Sequence, residues 1–193
     1  AHDHNNNKNY KKYIIKIKIY LNSLNNENLI FKLRNNHGHL TGNIRNVIND
    51  VKTEYLLVIQ HDLPFIRGFN IEKIISDMRE NLFMKHIKFN KRINKKKKMD
   101  AKNNLFGKQI IGKNYIYTRT PGWSDQNHIC KKTYYTEIVL KECKDGQFME
   151  TTLDNNLNVN NHNKYGTFIF GKLGEKAYIK HRKGRTRTYS QYD

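Results

Sequence analysis

Residues 54–60, Glu-Tyr-Leu-Leu-Val-Ile-Gln, form an unbroken apolar run of strand length that delivers the chain into Gln60-His61-Asp62 and then Pro64. A strand with one wet face alternates apolar and polar residues. This run does not alternate, so it reads as a strand covered on both faces, which requires helices on either side of its sheet. The flanking sequence supplies them. Upstream, Thr41 or Asn43 caps a helix running to about Val51, with Ile44, Val47, Ile48 and Val51 on one stripe. Downstream, after the turn at HDLPF, residues 70–83 form an amphipathic helix with Asn70 as cap and Ile71, Ile74, Ile75, Met78 and Leu82 inward. Strand alternating with helix predicts an α/β domain with a mainly parallel sheet.

Farther out the signals are shorter. Residues 13–20, YIIKIKIY, alternate over Ile15, Ile17 and Ile19 and predict a strand, as do 29–33, 86–92 and YGTFIFG near the end. Short strands fall between 105 and 120. PGWSDQN is a loop leading into a helix over 129–141, and FMETTL leaves a strand-like run. NKKKKMDAKNN, which holds the Lys95–Lys98 run, is a solvated loop. The expected organisation is a disordered lead over 1–12, one domain over 13–187 and a tail over 188–193, with no internal repeat.

Composition excludes several classes. The chain has 193 residues, 37% of them hydrophobic, and two prolines, so it is neither collagen-like nor proline-rich. No apolar run approaches the length of a membrane span, and no secretory apolar block opens the chain. The expectation is a soluble, cytoplasmic protein. Cys130 and Cys143 are too few for a disulfide framework. Against 17 Asp and Glu stand 36 Lys and Arg, a formal net charge of +19, which points to nucleic acid or another anionic surface. Yet Lys outnumbers Arg 27 to 9 and Asn also reaches 27. That profile fits A+T-rich coding at least as well as phosphate recognition, for which Arg is the better fork.

Chemistry gathers at a few places. Asp62 directly follows the apolar strand, and ligands of open α/β sheets bind at the carboxyl ends of strands. A carboxylate there, with His61 beside it, suits a hard divalent cation, and the alternative is a turn-capping Asp before Pro64. His-Asp also suggests a metal phosphohydrolase, but that arrangement belongs on helices. Nine histidines show no HxxxH or HExxH spacing. Trp123 lies among Gly, Ser, Asp and Asn. It reads either as a core residue or as an exposed platform for a sugar ring, with Asp125 beside it. Glu150 is a candidate general base or a first-turn helix acid. His181, Arg182 and Arg185 can grip a diphosphate or belong to a basic tail.

In order, TEYLLVIQHD, W-S-D, FMET, YGTFIFG and KHRKGR resemble a nucleotide-diphospho-sugar glycosyltransferase of GT-A type, similar to family-two-like members of protists and large DNA viruses. The resemblance covers about residues 13–187, and it adds association with a virion and host cytoplasm to the expected location. It implies a GT-A-like (Rossmann-like) mixed, mainly parallel sheet flanked by helices, apparently lacking the first strand. It implies a nucleotide-sugar donor, a hydroxyl acceptor, inversion, and a divalent cation (Mn²⁺ or Mg²⁺) held by Asp62 and His181. Donor and diphosphate contacts fall to Arg45, Asn46, Gln60, His61, Arg182 and Arg185. Acceptor contacts fall to Trp123 and Asp125, and the catalytic base is Glu150. The chain departs from the family pattern at Gln60, in place of the first acid of the metal motif, and at Thr151, in place of the second of the acidic pair. Two other readings stay open: a basic RNA-binding or ribonucleoprotein component, and a glycosyltransferase fold used as a scaffold.

Overall fold

The computed structural model of the chain describes residues 8–34, 38–95, 108–157 and 160–182. Its centre is a six-stranded sheet of β1 (Tyr55–Val58), β2 (His86–Lys88), β3 (Gln109–Ile111), β4 (Ile116–Arg119), β5 (His128–Lys131) and β6 (Thr167–Phe170), in the order β1-β5-β2-β6-β4-β3. The helices are α1 (Lys8–Ser23), α2 (His39–Val47, tightening to 3₁₀ over Ile48–Asp50), α3 (Ile71–Glu80), α4, α5 (Met149–Asn156) and α6 (His162–Tyr165). Helix α4 is composite: Lys132–Tyr134, a π segment over Tyr135–Val139, and Leu140–Glu142.

The sheet is mixed but mostly antiparallel, which corrects the expectation of a mainly parallel one. Only β2 and β6 pair in parallel. The physical reason lies in β5. The segment HICK at the start of the expected 129–141 helix is instead a strand, and it runs reversed between β1 and β2. Strands β1, β2 and β6 therefore point the same way, so their carboxyl ends share one sheet edge with the entry into β5.

The apolar run is packed on both faces but less deeply than its lack of alternation predicts: β1 is an edge strand, Leu56, Leu57 and Val58 are half-buried, and Ile59 is exposed. Tyr55 and Leu57 join one core cluster with Ile74, Met78, Ile87, Phe89, Ile129 and Phe168. Leu56 and Val58 face the other, built from Ile44, Trp123, Cys130, Tyr135, Val139 and Leu153. Helix α3 covers the first face. Its cap is Asn70, whose side chain accepts from the Lys73 N–H at 3.0 Å; Leu82 falls beyond the helix end and is exposed. Helices α2, α4 and α5 cover the second face. Thr41 is not a cap: it is fully buried inside α2, and its hydroxyl donates to the Gln147 carbonyl at 2.9 Å.

Two buried polar groups fasten the far half. Asp77 of α3, with no exposed surface, accepts from the N–H groups of Asn114 and Tyr115, each at 3.0 Å, and from the Tyr117 hydroxyl at 2.8 Å. That ties the β3–β4 turn to the helix. Gly166, at φ +53°, ends α6, and its carbonyl accepts from Lys85 and His86 at 3.0 Å. A Cβ at this position would run into the Phe83 carbonyl, so glycine is required by both conformation and space.

The first segment folds otherwise than its alternation suggests. Residues 13–20 lie within α1, and no strand forms over 29–33. Ile14, Ile17 and Leu21 recur at helical spacing as well, and with no neighbouring strand to pair, the helix satisfies its own backbone. Residues 8–12, expected to be part of a disordered lead, belong to the same helix. FMETTL likewise enters α5 rather than leaving a strand. Residues 1–7, Lys96–Lys98 and 188–193 lie outside the described residues. No helix among the described residues is long and apolar enough to cross a membrane.

Among the described residues three imidazoles, His86, His128 and His162, are buried. Desolvation pushes His128 down to about 4, and lowers His86, which His128 also repels, and His162, which lies beside Arg119. Neither ring nitrogen of His86 makes a hydrogen bond of good geometry among the described residues. The Ser124 backbone favours its charged form but is not aimed well enough to offset burial. These groups are neutral in both states above the ordinary histidine pKa of about 6.5. Below it the unfolded chain takes up protons that the folded chain refuses, each group contributing a slope of at most about 1.4 kcal/mol per pH unit down to its own folded pKa. Stability is therefore expected to hold above pH ~6.5 and to fall steadily towards pH ~4, with a shallower fall in His86→Phe. Thermal unfolding across that range is the check, and a slope unchanged by the substitution would contradict it.

Candidate functional site

The shared edge made by β1, β2 and reversed β5 collects three loops. The turn after β1 carries Gln60, His61 and Asp62. The loop before β5 carries Asp125, Gln126 and Asn127. The returning segment 178–182 lies along the exits of β1 and β2, with the Tyr178 N–H on the Asn90 carbonyl at 3.0 Å, the Lys180 N–H on the Pro64 carbonyl at 3.1 Å and the Arg182 N–H on the Asp62 carbonyl at 2.8 Å.

Asn127, with no exposed surface, holds the first two loops together. Its side-chain oxygen accepts from the Gln60 N–H at 2.9 Å, its amide donates to the Leu63 carbonyl at 2.6 Å, and its own carbonyl accepts from the Phe89 N–H at 2.8 Å. The Leu63 N–H closes back on the Gln60 carbonyl at 3.2 Å. The turn presenting His61 and Asp62 is thus bonded at both ends. The Gln60 side chain reaches across to donate to the Asp125 carbonyl at 2.8 Å.

Two pairs of titratable groups result. In the first, His181 Nε2 lies 3.2 Å from Asp62 Oδ2, both partly open to solvent. In the second, Glu150, in the first turn of α5, stands near enough to Asp125 to repel it. The Asp125 carboxyl is held above the usual carboxylate range by burial first and by Glu150 second, while Gln60 and Lys91 act in the opposite sense. Glu150 itself is exposed. One turn along α5, Asp154 accepts the Trp123 N–H, which fastens the loop bearing Asp125 to the helix bearing Glu150.

Other expected site residues stand differently. Trp123 is 1% exposed, so it is not an open stacking platform. Its Nε1 donates to the Tyr134 hydroxyl at 3.0 Å, and the bonds to Tyr134 and Asp154 draw it into the core despite its polar neighbours. Arg45 is committed to the end of α4, donating to the carbonyls of Leu140 and Cys143 at 3.0 and 2.8 Å and pairing with Asp145 at 2.9 Å. Those bonds turn its Nε and Nη2 groups to the end of α4. Asn46, His61 and Arg182 are exposed. Arg185 lies outside the described residues. Asn127, Lys91 and Asp154 were not anticipated. Each acts through a partner distant in sequence, and no local spacing marks them.

Asp62 and His181 offer one carboxylate oxygen and one imidazole nitrogen. Adjacent ligands of an octahedral ion bonded at 2.0–2.2 Å lie about 3 Å apart, close to the separation seen here. Among the described residues no group of three or more His, Cys, Asp or Glu side chains gathers to hold a metal ion. The pair therefore fits an ion whose remaining ligands come from a bound anion and water, and not a fully protein-held site.

No protein-family model, curated protein or solved structure matches the chain.

Glu150 is the main charge opposing ionisation of Asp125. Replacing it by Gln is expected to move the Asp125 pKa down towards the ordinary value, read by carboxyl-carbon NMR titration. An unmoved Asp125 would mean that the two carboxylates do not share a site.

Proposed function

We propose that the chain is a GT-A-type glycosyltransferase moving a sugar from a nucleotide-diphosphate donor to a hydroxyl acceptor, with inversion. The observation that carries this reading is the convergence, at the carboxyl end of β1, of the Asp62–His181 pair and the Asp125–Glu150 pair, bridged by Gln60. A donor site needs groups that hold a diphosphate. An acceptor site needs a base beside an orienting acid. The two pairs have those characters, and Asn127 ties the turn of Asp62 to the loop of Asp125.

In this reading Asp62 and His181 would hold a Mn²⁺ or Mg²⁺ ion, which would supply positive charge against the diphosphate. Lys91 adds positive charge on the acceptor side, and exposed Arg182 adds it on the donor side. Glu150, the more exposed carboxylate, accepts the proton of the acceptor hydroxyl as that oxygen bonds to the anomeric carbon. The bond from that carbon to the diphosphate breaks, and its electron pair leaves with the nucleotide. Asp125, desolvated and disposed to keep its proton, orients the acceptor. Such a split between neighbouring acids is how environment assigns them different roles. Trp123 serves by holding the loop of Asp125, not by stacking on a sugar.

The test is a thermal-shift panel of nucleoside diphosphates and nucleotide sugars, with and without Mn²⁺. A ligand at a hundredfold excess over its Kd stabilises by about 2.7 kcal/mol, a rise of several degrees for a chain of this size. Wild type and Glu150→Gln are expected to shift with one nucleotide in a metal-dependent way, and Asp62→Ala is not. No shift with any nucleotide would overturn the donor site and favour a scaffold role.

A further inference from the structure

Eight of the sixteen large apolar side chains exposed among the described residues fall between Tyr13 and Leu33, in α1 and the segment after it. The helix has a definite polarity of faces. Ile14 turns inward at 6% exposure, and Ile17 and Leu21, on the same stripe, are half-buried. On the opposite face Lys11, Ile15 and Ile19 form one row at i, i+4 and i+8, with Lys12 and Lys16 as the next row. Ile15 is 57% and Ile19 63% exposed, and all three lysines are exposed. The 16 residues of the helix contain five lysines and no acid.

We propose that this outer face of α1 docks on an anionic lipid surface. The charge complement is set by the lysines, which no acid of the helix offsets. The isoleucines decide between anionic partners. A nucleic-acid strand rewards aromatic planes and hydrogen-bond donors, and an isoleucine side chain offers neither. A bilayer interface rewards apolar side chains that enter the acyl boundary while neighbouring lysines keep their ammonium groups among the headgroups. Tyr20, 62% exposed near the end of the helix, is suited to the headgroup level. The helix lies along the surface and does not cross it, in keeping with its length and lysine content.

The experiment is co-sedimentation of the full chain with vesicles of phosphatidylcholine, with and without phosphatidylserine, at low and high salt. Three proteins are compared: wild type, Ile15→Ser/Ile19→Ser, and Lys11→Gln/Lys12→Gln/Lys16→Gln. All substituted side chains are exposed, so thermal midpoints should coincide. Wild type is expected to bind only the serine-containing vesicles and to release in salt. Each variant is expected to lose about tenfold or more in partitioning. Absence of vesicle binding would overturn the proposal. So would equal binding by wild type and the isoleucine variant, or salt-sensitive RNA binding without vesicle binding.

Discussion

Asn127 stands with no exposed surface at the entry to β5, and its side-chain amide bonds in two directions, to the Gln60 N–H and to the Leu63 carbonyl. Because β5 runs reversed between β1 and β2, its first residues meet the last residues of both neighbours. One residue at that point therefore bonds the exits of two strands: its side chain holds the turn after β1, and its backbone carbonyl accepts the Phe89 N–H just after β2. Buried amides must be satisfied, since an unpaired one costs about 1–3 kcal/mol. The turn bearing Asp62 is thus set by hydrogen bonding rather than left as a free loop, and the account of the site rests on this.

The rest of the structure supports that edge from two sides. Asp77 fixes the β3–β4 turn to α3, and Gly166 lets β6 lie beside β2. With β6 in place, the chain leaves it towards the same edge and returns over it, joining Phe65 to Ile179 and bringing His181 to Asp62. On the other face, Asp154 and Tyr134 hold Trp123, and α5 carries Glu150 up to Asp125. Residues 119 positions apart in sequence, Asp62 and His181, meet because the Lys180 and Arg182 N–H groups bond the Pro64 and Asp62 carbonyls.

How much of this was legible in the sequence varies by element. The packing of residues 55–58 on both faces could be read directly, because apolarity without alternation has one structural meaning at that length. Helix α3 was legible through its stripe and its Asn70 cap. The direction of β5 was not. HICK is four residues long, helix and strand are equally compatible with it, and side-chain periodicity carries no information on whether a pairing is parallel. Helix α1 was misread because its isoleucines satisfy periods of two and of 3.6 together. At the site, Asp62, Glu150 and His181 came from the order of short motifs. Asn127 sits in SDQN, which reads only as a polar loop. Its importance, like the burial of Trp123, is created by tertiary partners.

The proposed function requires that the loops joined by Asn127 form one diphosphate-binding edge. Paramagnetic broadening by Mn²⁺ of the backbone amides, with a nucleoside diphosphate present, tests it most directly. The prediction is that broadening centres on residues 61–63 and 181–182, extends to 125–127, and weakens when Asp62 is replaced by Ala. Broadening spread over scattered acidic side chains elsewhere, or unchanged in the variant, would contradict it.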